Sequence, residues 1–122
     1  MTNTHPLRRE DLKQFYGTEK WYRHGLARDV LYTDGARHVA VHGGAFWLLD
    51  EIALAQKYQP KVMAEAFQVW KLTVNEDRSA TLSCEDGNLV EVYRKTLDYT
   101  DFPLPDITLW FTDKVILLPS EY

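Results

Sequence analysis

The chain predicts an α+β fold: an antiparallel sheet of about five to seven strands packed by one long helix, with a short N-terminal helix. Three observations predict it. Residues 45–58 repeat apolar side chains at helical spacing, at about 100° per residue. Residues 67–118 instead run as short apolar or alternating stretches separated by turn residues. Helical pattern comes first and strand pattern afterwards, so the two are segregated rather than interleaved.

In chain order, Leu7–Tyr16 reads as the short helix, with Thr4 as its cap, Pro6 in its first turn and Gly17 at its end. Lys20–His24 and Asp29–Thr33 are strand-like. Thr33-Asp34-Gly35 reads as a hairpin turn joining Val30–Tyr32 to a strand Arg37–His42, because Gly accepts the positive φ such turns require. Gly43-Gly44 reverses the chain into the long helix, Ala45 to about Tyr58. Its core face is Ala45, Leu48, Leu49, Ile52, Ala53 and Ala55, and a second apolar stripe carries Trp47, Leu54 and Tyr58. Lys61–Glu65 adds a further helical turn. Phe67–Val74, Ala80–Cys84 and Leu89–Leu97 follow as strands, separated by the turns Asn75–Ser79 and Glu85–Asn88. Ile107–Phe111 and Val115–Leu118 close the chain as a hairpin around Thr112-Asp113-Lys114.

At 122 residues, 45% of them hydrophobic and 26% charged, the chain has the balance of one globular domain spanning 1–122. Cys84 is the single cysteine, which excludes an internal disulfide and any multi-cysteine zinc site. The opening MTNTHPLRRED has no apolar signal core, and no apolar run approaches the roughly 20 residues of a membrane span, so a cytoplasmic protein is expected. Residues 1–28 carry six Lys/Arg against three Asp/Glu, a balance of +3, whereas the remainder carries eight against fifteen, −7. Nucleic-acid binders need a basic face, and this acidic body disfavours one.

Catalytic patterns are sparse. On the predicted strand, His38 and His42 share a face but lie ~13 Å apart, too far to clasp one metal. With no HExxH, paired cysteine or calcium loop, no metal site and no cofactor are expected. Ser79, Ser83 and Ser120 sit in no nucleophile elbow, and Cys84 alternates in phase with Ala80 and Leu82 as a buried thiol. His42, Gly43, Gly44, Asp101 and Asp106 form the one alternative ligand site: glycines at a helix start offer N–H groups to an anion, and two aspartates follow downstream. That set would suit a small hydrolase or a phosphate-ligand protein, although it lacks the Lys-Ser/Thr of a P-loop.

The surplus lies in aromatic residues, four Trp and seven Tyr. Trp47, Leu54 and Tyr58, together with Trp110, exceed what one small core needs, and they form the candidate binding surface for a protein partner or a second copy. The alternative is a second mini-core made with the N-terminal helix and Trp21-Tyr22.

The stretches YTDG (32–35), GAFWLLDEIA (44–53), FQVWKLTV (67–74), YTDFPLPDITLW (99–110) and ILLPSEY (116–122) together resemble a bacterial family catalogued only as a domain of unknown function. Its members are small single-domain proteins often carried by phages, plasmids and other mobile elements. The resemblance implies a bacterial or phage accessory protein and brings no catalytic motif. The resulting expectation is a non-catalytic protein-binding protein, an inhibitor or modulator of a host or defence protein. A hydrolase or phosphate-ligand protein is the second reading and nucleic-acid binding the third.

Overall fold

The computed structural model describes residues 6–17 and 20–122. Thr4, expected to cap the first helix, lies outside them. Seven strands form one sheet: β1 (Trp21–Arg23), β2 (Leu31–Thr33), β3 (Phe67–Val74), β4 (Ala80–Glu85), β5 (Glu91–Leu97), β6 (Asp106–Thr112) and β7 (Val115–Leu117). Their spatial order is β1-β2-β7-β6-β3-β4-β5. Three helices, α1 (Asp34–His42), α2 (Phe46–Tyr58) and the single turn α3 (Pro60–Met63), lie between β2 and β3 in the chain.

The α+β class holds, but the sheet is mixed rather than wholly antiparallel. Neighbours pair antiparallel except β2 and β7, which run parallel with Leu31 beside Val115 and Tyr32 beside Ile116. A second correction follows from the first. Arg37–His42 is not the return strand of a hairpin but most of helix α1, so several helices replace the expected single long one. Thr33 is its N-cap, with Oγ1 accepting from the Ala36 N–H at 3.2 Å, and Asp34 occupies the first turn, where the helix dipole favours an acid. Ala36, Val39 and Ala40 are buried at i, i+3 and i+4, the spacing of one helix face. The predicted N-terminal helix shortens to a 3-10 turn, Arg9–Gln14, in which Asp11 accepts from the Arg8 N–H at 3.1 Å.

The core lies between the helices and one face of the sheet. Trp70, Leu72, Leu82, Cys84, Ile107, Leu109 and Ile116 face Leu48, Leu49, Ile52 and Ala53 of α2, the core face read from the sequence. One buried amide network crosses that core. The Gln68 carboxamide, 1% exposed, exchanges hydrogen bonds with Gln56 at 2.7 and 2.9 Å. It also donates to the Val62 carbonyl and accepts from Trp70 Nε1. Every polar atom of that side chain is thus satisfied, which is the condition for burying it. Among the described residues, no helix is long and apolar enough to cross a membrane.

Candidate functional site

The Gly43-Gly44 turn joins two helices rather than a strand and a helix. Gly44 has φ +59°, and the Ala45 N–H bonds the Ala40 carbonyl at 2.8 Å, the six-to-one bond of a Schellman C-cap. Gly43 is glycine for a different reason: a Cβ there would lie 2.6 Å from the Val39 carbonyl and 2.8 Å from Phe102 Cε1. Phe102 is fully buried, and its loop is clamped by Arg78, which donates to the Thr100 and Phe102 carbonyls. The glycine pair therefore closes on a phenylalanine ring.

The residues expected around that turn are engaged separately. Because Arg37–His42 is helical, His38 and His42 are one turn apart, with ring centroids at 4.2 Å instead of the ~13 Å of a strand. Asp11 Oδ2 stands 3.8 Å from His38 Nε2, and Phe15 lies against the His38 ring. Asp106 pairs with Arg9 at 3.0 Å. Asp101 lines a cavity of about 280 Å³ with Trp47, Leu97, Tyr99 and Thr100, without His42 or Asp106. Among the described residues, no group of three or more His, Cys, Asp and Glu is arranged to hold a metal ion.

The sequence did not single out His24 and Asp50, which form a buried pair. His24 Nε2 donates to Asp50 Oδ1 at 2.7 Å, while Nδ1 accepts from the Leu26 and Ala27 N–H groups at 3.1 and 3.0 Å. Those two amides fix the Nε2–H tautomer and occupy the nitrogen that a general base would need. This His–Asp pair holds the β1–β2 loop. Cys84 is equally inert: burial first, then the negative charges of Glu65, Glu85 and Asp86, push its thiol up to about 12.

The four aromatic-stripe residues divide between two faces. On α2, Glu51 pairs with Lys95, which seats the second stripe over β5. Trp47 reaches Leu97 and Tyr99, and Leu54 and Tyr58 border Tyr93. Trp110 lies on the opposite face of the sheet, since its neighbours Leu109 and Phe111 point into the core. The mini-core with Trp21-Tyr22 does not form around the α2 stripe.

That opposite face is the candidate site. No described helix covers it. Phe67, Trp110 and Tyr122 pack edge to face there, with centroids 5.1, 5.4 and 5.8 Å apart. Val69 and Leu117 flank Trp110 in register on β3 and β7. Toward the β1 edge a groove of about 210 Å³ runs between Trp21 and Tyr122, floored by Val115 and Leu117. Trp21 and Tyr122 are 54% and 75% exposed.

The C-terminal turn that places Tyr122 is anchored by a buried carboxylate. Glu121, 6% exposed, accepts from Thr33 Oγ1 at 2.6 Å, the Gly35 N–H at 3.1 Å and the Leu118 N–H at 2.9 Å. It supplies a negative charge and an acceptor to the first turn of α1. Gly35 has no room for a side chain, because a Cβ would sit 2.5 Å from Glu121 Oε1.

Compared with known proteins, residues 7–122 match the model of a family described as "Family of unknown function (DUF6876)". The chain belongs to this family. Comparisons with curated proteins and with solved structures returned no match. The matched span contains the whole open face and the Glu121 anchor, so both lie within the family's domain. Phe67 was visible beforehand as the surplus apolar parity at the start of β3. Glu121 gave no local signal, because its partners lie 86 and 88 residues away.

Proposed function

We propose that this protein is a non-catalytic, cytoplasmic protein-binding protein that docks its partner on the open face of the sheet. The observation that carries the reading is the Phe67–Trp110–Tyr122 cluster, three large aromatics on a face that no described helix covers. Clustered Trp and Tyr at the centre of an apolar patch are the side chains that dominate binding energy at protein interfaces. The separate engagements of His42, Asp101 and Asp106 favour binding over the hydrolase reading. Resemblance to accessory proteins of phages and mobile elements suggests modulation of a host or defence protein as the process.

Affinity capture from a bacterial lysate, repeated with variants, tests this. A partner retained by the wild type should be lost, at least tenfold, by Trp110→Ala and by Phe67→Ser. Trp47→Ala, on the other side of the sheet, should keep it. Retention by both open-face variants would overturn the proposal.

A further inference from the structure

The open face ends at the β6–β7 hairpin tip, where its groove meets a second concavity. Asp113 lines both: the 210 Å³ groove beside Trp21 and a cavity of about 390 Å³ that also contains Asp29, Glu65, Lys114, Met63 and Phe111. The charges in this cavity differ from those elsewhere in the molecule. Asp11, Asp106, Glu51, Glu85 and Glu91 each pair with a cation of the same chain. Among the described residues Asp29, Glu65 and Asp113 have no ion pair, and Lys114 is the one cation lining the cavity. Three unneutralised carboxylates against one ammonium leave a concave, net-negative site beside an apolar groove. Such a site concentrates cations in its field.

We infer that the occupant of this surface is an extended basic segment of a partner protein. Its apolar residues lie along Trp21, Val115, Leu117 and Tyr122, and a Lys or Arg turns into the cavity between Asp29, Glu65 and Asp113. The cavity wall suits that side chain. Met63 is 52% exposed and Phe111 lies beside it, so a methylene stem packs on them while its cationic head meets the carboxylates. A second copy is a poorer occupant, because a two-fold contact sets the same negative patch against itself. Nucleic acid and anionic membranes carry the same sign as the cavity. The inference rests on the open-face binding reading and adds the chemistry of the partner.

The test uses the full chain and fluorescent nonapeptides alternating Val with Lys, Gln or Glu. The Lys probe should bind at least tenfold tighter than the Gln probe at low salt, and the Glu probe should not bind. Glu65→Gln combined with Asp113→Asn should weaken the Lys probe at least fivefold and leave the Gln probe unchanged. Glu76→Gln, a neutralisation at an exposed turn, should change neither. Trp110→Ala should weaken Lys and Gln probes alike. Equal binding of Lys and Gln probes, or equal weakening by Glu76→Gln, overturns the inference. Should Trp110→Ala still abolish partner capture, the binding reading stands without it. Sedimentation showing a concentration-dependent dimer lost in Trp110→Ala would make a second copy the occupant and also overturn it.

Discussion

Replacing Glu121 with Ala removes one side chain and orphans three donors in two distant elements. The carboxylate accepts from Thr33 Oγ1, the Gly35 N–H and the Leu118 N–H, all buried. Hydrogen bonds to a charged group contribute about 1.5–3 kcal/mol each, so about 5–9 kcal/mol of interaction is withdrawn. A cavity of about 300 Å³ lined by Asp34 and Glu121 gives water access to part of that site. Rehydration through it returns roughly half, leaving an expected loss of about 3–4 kcal/mol. For a domain whose total stability is on the order of 10 kcal/mol, that is a large fraction. Thermal unfolding followed by circular dichroism should show a Tm lower by about 10–15 °C, and urea unfolding should show the same loss with unchanged slope.

Gly35→Ala supplies the internal check, since its Cβ would press on Glu121 Oε1 at 2.5 Å. In wild type it should destabilise by about 2 kcal/mol, and beside Glu121→Ala much less, giving a coupling of at least 1 kcal/mol in a double-mutant cycle. A loss below about 1 kcal/mol for Glu121→Ala, or additive effects of the two changes, would refute the reading of Glu121 as the cap that joins the C-terminus to α1.

Two further outcomes follow from buried groups. His24→Ala deprives the Leu26 and Ala27 N–H groups of their acceptor and should cost about 2–4 kcal/mol by urea unfolding; a change under 1 kcal/mol would mean that water replaces the imidazole freely. Cys84, its thiol pushed up to about 12, is protonated below that pH, with about one part in ten thousand as thiolate at pH 8. An aromatic disulfide reagent should therefore modify the native protein at least 100-fold more slowly than the urea-unfolded chain, and equal rates would contradict burial of the thiol.

Much of the architecture was legible in order and type. The strands 67–74, 80–85, 91–97 and the 106–117 hairpin follow alternation and turn residues, and α2 follows its apolar spacing. The misreading at 37–42 has a local cause. Thr-Asp-Gly serves equally as a hairpin turn and as an N-cap with an acid after it, and Val39 and Val41 favour a strand. The same error placed the two histidines far apart. Of the candidate binding residues, Trp110 could be assigned to a strand, but its separation from Trp47 by the thickness of the sheet is a property of packing.

The sequence by itself determined the α+β class, the single-domain size, the buried faces of α2 and the late strands, and the shortage of catalytic groups. These depend on periodicity and composition, which act over a few neighbouring residues. Tertiary structure alone decided that β7 lies parallel to β2, that Glu121 caps a helix 86 residues earlier, and that Phe102 occupies the Gly43 turn. It also decided which aromatics share the open face. Each depends on contacts between segments far apart in the chain, whose hydrogen bonds and excluded volume form only when the whole sheet has assembled.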